Sequence, residues 1–240
     1  MDEVQRLFTG LTSDKGLSLS AQQLVQYETY FKLLVEWNEK MNLTGITERE
    51  QVYVKHFYDS LTLSFYVDLK NTQSLADIGS GAGFPSIPLK IAYPHLKVTI
   101  IDSLQKRISF LEHVSSSLGL TNVYCVHGRA EDAGVKPELR DQFDLVTARA
   151  VAKLNILNEL CLPFTKTGGL FVAMKGSDPT AEIDEAKRSL KELNGKLVTV
   201  DSLTLPVEQS ERHLIQIQKT APTPKKYPRK AGVPAKTPIL

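Results

Sequence analysis

Ser74-Leu-Ala-Asp77-Ile-Gly79-Ser-Gly81-Ala-Gly83-Phe84 decides the fold of this chain. A short apolar run ends there in a loop with glycine at every second position, the sequence form of a strand that delivers a loop to a ligand. Glycine permits positive φ and close backbone approach, and it costs about 0.5–1 kcal/mol inside a regular element. The next strand-like run, Lys97-Val-Thr-Ile-Ile-Asp102, ends in a carboxylate about 20 residues on, where a βαβ nucleotide site places its acceptor for ribose hydroxyls.

The G-x-G-x-x-G spacing of dinucleotide loops is not met, because Phe84 stands where the third glycine belongs. Pro85 follows, with no N–H to offer a pyrophosphate at the start of the next helix. The loop therefore suits a ligand without phosphate. Asp77, two residues ahead of the first glycine, would face a positive amino-acid end while Asp102 takes the ribose. S-adenosylmethionine has that charge pattern.

Ahead of this loop the sequence reads as helical. Leu24, Tyr27, Phe31, Leu34 and Met41 recur near helical spacing over 20–41, with Ser18 or Ser20 as N-cap. A second helical stretch covers about 48–66, so 1–70 form a helical extension. Beyond the loop, strands are expected at 74–79, 97–102, 122–127 and 143–148, with helices at 86–93 and 103–119 between them; Gly119 closes the latter. A helix at 150–164, a strand at 168–175 and a charged helix at 179–193 follow. The runs 196–205 and 213–218 read as an antiparallel hairpin. The alternation predicts an α/β fold, Rossmann-like, of the class I S-adenosylmethionine-dependent methyltransferase kind: a seven-stranded, mostly parallel sheet over 71–218 that closes in the hairpin.

The chain has 240 residues, 42% hydrophobic, with a formal charge of +2. Six cations and no acid lie in 219–240, which leaves −4 on the rest. Cys125 and Cys161 sit in apolar segments without metal spacing and read as buried thiols in a reducing compartment, with no metal expected. The start lacks a basic region followed by an apolar one, and no run of 18 apolar residues occurs, so a soluble, cytoplasmic protein without membrane contact is expected. It is read as a monomer.

The identity of the methyl acceptor turns on whether it must lose a proton. An exocyclic-amine enzyme carries D/N-P-P-Y/F after its fourth strand, where this chain has Thr147-Ala-Arg149-Ala150. A pyrimidine carbon-5 enzyme needs an exposed nucleophilic cysteine, which neither cysteine offers. A ring nitrogen such as guanine N7 presents an in-plane lone pair and needs alignment more than acid–base help. The lack of an evident general base agrees with N7, and no catalytic residue is assigned. Small-molecule and protein methyltransferases also lack a short motif, so they stay open, as does an RNA-binding ribosome-assembly factor with a vestigial pocket.

The sequence resembles the glucose-inhibited division protein B family of ribosomal RNA small-subunit methyltransferases nearly end to end. The likeness rests on Trp37-Asn38, Asn42-Leu43-Thr44, His56 with Asp59-Ser60-Leu61, and the loop from Asp77 to Pro85. It continues through Arg129-Ala130-Glu131, Arg149-Ala150, Lys175-Gly176 and Arg229-Lys230-Ala-Gly232-x-Pro234-x-Lys236-x-Pro238. The resemblance implies methylation of guanine N7 in the 530 loop of 16S rRNA, with 16S rRNA or the small subunit as partner.

Individual positions carry competing expectations. Asp77, Gly79, Gly81, Gly83, Asp102, Ala130 and Glu131 are expected at the cofactor, the last two at its adenine; Asp102 also fits a helix N-cap. Phe84 either lines that pocket or packs under the first helix after the loop. Arg149, just past the fourth strand, sits at the ligand edge of an open α/β sheet, and the resemblance has it contact cofactor or acceptor nucleotide. His56 and Asp59 share a helical face and either close over the site, bind RNA or pack together. Trp37 is read as core rather than as a base-stacking residue. Lys175 is read as meeting a phosphate. The proline-interrupted tail at 219–240 is expected to be an extended cationic strand packed on or near the substrate face, with Arg229, Lys230 and Lys236 on RNA.

Overall fold

The computed structural model describes residues 1–176 and 178–240. The helices are α1 (Glu3–Ser13), α2 (Ala21–Met41), α3 (Arg49–Val52), α4 (Asp59–Leu61), α5 (Ser86–Ala92), α6 (Gln105–Ser117), α7 (Ala130–Ala133), α8 (Leu154–Cys161), α9 (Thr180–Glu185), α10 (Lys187–Glu192) and α11 (Val233–Lys236). The strands are β1 (Ser74–Ile78), β2 (Lys97–Asp102), β3 (Val123–His127), β4 (Phe143–Arg149), β5 (Thr165–Lys175), β6 (Gly195–Thr204) and β7 (Glu211–Lys219). They form one seven-stranded sheet in the order β3-β2-β1-β4-β5-β7-β6. β7 is antiparallel to both neighbours, and the other pairings are parallel. The expected sheet and its closing hairpin are present.

Alternation along the strands assigns the two faces. Leu75, Val98, Ile100 and Leu145 point to one side, where Phe8, Tyr27, Tyr30, Leu34 and Phe57 of the N-terminal helices meet them in a single core. Ala76, Ile78, Val146 and Ala148 point to the other, against Leu157, Phe164, Leu190, Tyr227 and Ile239. The N-terminal helices therefore share a core with the sheet. α2 starts where a capping box fixes it: Ser20 Oγ accepts from the Gln23 amide, and the Gln23 side chain accepts from the Ser20 amide. Trp37 packs on Phe110 and His113, at ring centroid distances of 5.5 and 5.3 Å, as a core residue.

Four details differ from the sequence reading. The stretch at 48–66 is no uniform helix: a π-helical turn at Tyr53–Tyr58 separates α3 from α4, and a 3₁₀ turn at Thr62–Phe65 ends it. The helix expected at 179–193 breaks at the buried Ala186. That expected at 150–164 starts only at Leu154, because Ala150, at φ +56°, turns the chain out of β4. Cys161 is buried, but Cys125, on the edge strand β3, is only half-buried, with its thiol pushed up to about 11 by burial.

The tail is no extended strand with free cations. It is folded onto the domain and forms a short helix, α11. Lys219, wholly buried, donates to Asp141 Oδ1 (2.9 Å), the Leu162 carbonyl (2.6 Å) and Thr223 Oγ1 (2.6 Å). Arg140 gathers the carbonyls of Thr223 (2.8 Å) and Tyr227 (2.9 Å). Arg229 grips the buried Glu159 through Nε (2.9 Å), Nη2 (2.6 Å) and its own amide (2.7 Å). Lys226 pairs with Glu192. Only Lys225, Lys230 and Lys236 of the tail cations stay exposed without an ion pair among the described residues. No helix of the described residues is long and apolar enough to cross a membrane. None of their His, Cys, Asp and Glu side chains group to hold a metal.

Candidate active site

Two clefts open at the carboxyl ends of the strands, on either side of the point where the strand order reverses between β1 and β4. The first, about 370 Å³, is lined by Ile78 and Gly79, Asp102 and Arg107, Gly128 to Glu131, Ala150 to Ala152, and Gly232 with Ala235. Its volume lies in the range of small-ligand sites. The C-terminal segment thus forms one of its walls.

The loop after β1 is held by carboxylates from below. Asp102 Oδ2 accepts from the Gly81 amide at 3.1 Å and Oδ1 from the Leu104 amide at 2.9 Å. Asp102 therefore ties the glycine loop to the entry of α6 while lining the cleft. Asp77 is wholly buried under the loop: Oδ2 accepts from the Ser86 amide at 3.2 Å, and Oδ1 has no partner. The glycines serve different ends. At Gly83, φ +99°, a Cβ would lie 2.6 Å from Tyr30 Oη and 2.8 Å from Ile87 Cγ1, so the residue is needed for packing; at Gly81, φ +62°, nothing lies within 4 Å and the backbone stays open to a ligand. Glu131 Oε1 accepts from the Gly232 amide at 2.8 Å.

Burial pushes the Asp77 carboxyl up to about 6, with the hydrogen bond from Ser86 and the charge of Arg149 opposing it. The usual value is near 3.9. The folded state thus binds this proton more tightly than the unfolded chain, so the contribution of Asp77 to stability falls as pH rises from about 4 to about 6 and levels off above. Asp77→Asn is expected to remove that dependence, so that cofactor-free wild type falls behind the variant by thermal melting across this window. Parallel melting curves from pH 4 to pH 7 would refute the assignment.

The second cleft, about 380 Å³, lies over the ends of β4, β5 and β7 and is lined by Lys55, His56, Asp59, Arg149, Ala150, Lys175, Gly176, Arg212 and His213, among others. Arg149 is its hub. Nη1 donates to Asp59 Oδ2 at 2.9 Å, Nη2 stands 3.5 Å from His56 Nδ1, and the guanidinium carbon lies 4.9 Å from the Phe84 ring centroid. His56 stacks on Phe84 at 4.5 Å and reaches Thr44 Oγ1 at 2.8 Å. Burial, with the Arg149 charge beside it, pushes His56 down to about 3, so the imidazole is neutral at physiological pH. The π-helical turn belongs to this arrangement, since it resets the helix between Lys55 and Asp59 where the cleft draws on both.

Gly79, Asp102, Ala130 and Glu131 meet around the first cleft, and His56, Asp59, Arg149 and Lys175 around the second. Phe84 lines neither; it is buried behind Arg149 and His56. Lys175 is not free for a phosphate, because Nζ donates to Glu182 Oε2 and the Ala152 carbonyl, each at 2.7 Å. Arg229 is likewise spent on Glu159, while Lys230 and Lys236 are exposed and line neither cleft. Sequence reasoning missed Arg212, whose Nε donates to Asp59 Oδ1 at 3.1 Å from 153 residues away, and local sequence holds no signal for such a pair. It also missed Gly232 as cleft wall, although the residue stands in a motif of the family resemblance.

The strand order, the glycine loop, Asp102 ending β2 and Glu131 beyond β3 together define a class I S-adenosylmethionine-dependent methyltransferase. The orphaned Asp77 oxygen and the open backbone at Gly81 fit a cationic nucleoside. The family model for GidB, rRNA small subunit methyltransferase G, matches residues 23–215, and the chain belongs to this family. A ribosomal RNA small subunit methyltransferase G of Brevibacillus brevis is 58% identical over 233 residues, 97% of this chain and 98% of the relative. Another from Geobacillus sp. (strain WCH70) is 54% identical over 239 residues, 100% of both chains. Among solved structures, the [4+2]-cyclase SpnF matches with a TM-score of 0.57 at 11% identity, over 85% of this chain and 97% of that one. M. jannaschii TYW2, solved with AdoMet, matches at 0.52 and 18% identity, over 68% of this chain and 76% of that one. Those two likenesses concern the fold.

Proposed function

We propose that this protein methylates small-subunit ribosomal RNA, carrying the methyl group of S-adenosylmethionine to N7 of one guanine in the 530 loop, and that it works as a monomer in the cytoplasm. The observation that carries the reading is the junction at Ala150, which lines both clefts, so that cofactor and acceptor would meet there. Asp77 would face the ammonium end of the cofactor, Asp102 the ribose, and Ala130 with Glu131 the adenine. When bound, the cofactor supplies a methyl group on a sulfonium, ready for displacement.

The second cleft is built for orientation. His56, pushed down to about 3, is too weak a base to strip a proton, and both Asp59 oxygens are engaged by arginines. Guanine N7 has no proton to lose. Its lone pair lies in the ring plane beside O6, and Arg149 donating to O6 would fix that edge toward Ala150 without occupying N7. Phe84 and His56 back the arginine and exclude water from behind it.

Removal of the tail at Thr220 does not separate this reading from a small-molecule or protein substrate, because the tail walls the cofactor cleft and its loss would harm either activity. Gly81→Asp is the better probe. The site has room for the side chain, and aspartate tolerates its left-handed backbone, so the variant is expected to fold, block the cofactor and abolish transfer. With methyl-labelled cofactor and small-subunit particles that lack the modification, wild type should label the particle RNA and Gly81→Asp should not. Label in protein or a small molecule instead would overturn the RNA reading; particle RNA methylated equally well by the variant would overturn the cofactor site.

A further inference from the structure

The second cleft carries an unbalanced charge. Lys55 pairs with Glu208 at 2.8 Å and Lys175 with Glu182 at 2.7 Å. Arg149 and Arg212 instead share one carboxylate, with Asp59 Oδ2 taking Arg149 at 2.9 Å and Oδ1 taking Arg212 at 3.1 Å. Among the described residues this leaves one positive charge without a partner.

Arg212 is the more accessible of the two guanidinium groups, with its side chain 22% exposed against 15% for Arg149. Its Nε is clamped by Asp59, and Nη1 donates to the Glu211 carbonyl at 2.8 Å and to Ser210 Oγ at 3.3 Å. Nη2 has no partner among the described residues. Beside it, Gly176 adds no side chain: even a Cβ there would stay 3.9 Å from Nη1. Asp59, only 3% exposed, removes the rotational freedom that an arginine normally loses on binding.

We infer that Arg212 is a positioning residue for the acceptor: Asp59 holds its guanidinium so that Nη2 binds one backbone phosphate of the target nucleotide, while Arg149 addresses the base. The inference rests on the RNA reading above. A phosphodiester carries the single negative charge that the cleft lacks, and the free Nη2 of a guanidinium already held in place can donate to one of its oxygens. The base itself does not meet that demand, being neutral before transfer and cationic afterwards. With the phosphate in place the cleft is neutral until the methyl group moves.

The test is steady-state methylation of small-subunit particles over a range of salt, with cofactor affinity measured separately. Arg212→Gln is expected to raise KM for particles by about tenfold or more, leave cofactor affinity unchanged, and make the log–log dependence of KM on salt shallower by about 0.7, the loss of one phosphate contact. Arg212→Lys keeps the charge and its bond to Asp59. It should therefore keep the wild-type slope while KM rises several-fold, because one ammonium cannot hold Asp59 and present a fixed donor where Nη2 stands, and it serves as the test if the glutamine variant does not fold. A wild-type slope in Arg212→Gln, a fall in kcat at unchanged KM, or a wild-type KM in Arg212→Lys would overturn the inference while leaving the RNA reading intact. Absence of transfer to particles by the wild type would overturn both.

Discussion

Arg149→Ala is expected to lower kcat/KM for small-subunit particles by about 10²–10³-fold while cofactor affinity changes little. The arginine stands between the two clefts and touches Asp59, the Lys55 carbonyl, His56 and the face of Phe84, so one deletion disconnects four groups at the acceptor side. Phe84 is the one contact within the glycine loop, and it lines neither cleft; no contact is to Asp102 or to Glu131, which keeps the expected loss out of cofactor binding. Arg149→Lys should rescue little, because an ammonium is a point charge that cannot reach Asp59 and lie flat over Phe84 together. Deletion also removes the charge that helps hold His56 neutral, so its value should move up from about 3, with burial still opposing. Single-turnover kinetics beside calorimetric cofactor titration would separate the terms. An equal loss of cofactor affinity would place Arg149 in the first cleft instead.

Arg229→Ala should destabilise the fold by about 3–5 kcal/mol, the cost of leaving a buried carboxylate without its partner. Glu159 is 1% exposed, and among the described residues its side chain pairs with Arg229 alone. Replacing both residues, as Glu159→Leu with Arg229→Met, should recover much of that loss, since no buried charge remains. The tail that Arg229 anchors also carries Gly232, whose amide holds Glu131, and Ala235, which lines the cofactor cleft. Arg229→Ala is therefore expected to weaken cofactor binding as well. Urea titration of the single and double variants checks the first statement and cofactor calorimetry the second. A single variant as stable as wild type would mean that Glu159 does not depend on Arg229.

Local chemistry made the parallel sheet legible. β2 falls on Lys97–Asp102, where an apolar run meets a terminal carboxylate, and α2 is capped by Ser20, one of the two serines the sequence offers. The glycine loop placed the first cleft because positive φ and open backbone leave a mark in sequence. What the sequence hid is long-range pairing. A tail with six cations among prolines reads as an extended strand that offers its charges to RNA, yet Lys219 and Arg229 are consumed by Asp141 and Glu159, which lie far upstream. Lys175 reads as a free cation until Glu182 is seen beside it, and Arg212 has no local feature to separate it from an ordinary strand arginine. Phe84 reads in sequence either as lining the pocket or as packing under the next helix, and its ring is buried where it supports the arginine of the neighbouring cleft. The π-helical turn escaped as well, because one extra residue per turn leaves the apolar periodicity of so short a segment almost unchanged.

The most direct test of the whole account is to locate the methyl group. Small-subunit particles that lack the modification would be methylated with this protein and their RNA cleaved chemically at N7-methylguanine. A single new cleavage in the 530 loop of 16S rRNA is predicted, absent with Gly81→Asp. Labelled RNA that resists this cleavage, or that is cut elsewhere, would contradict the assignment of the Arg149 cleft to that guanine N7.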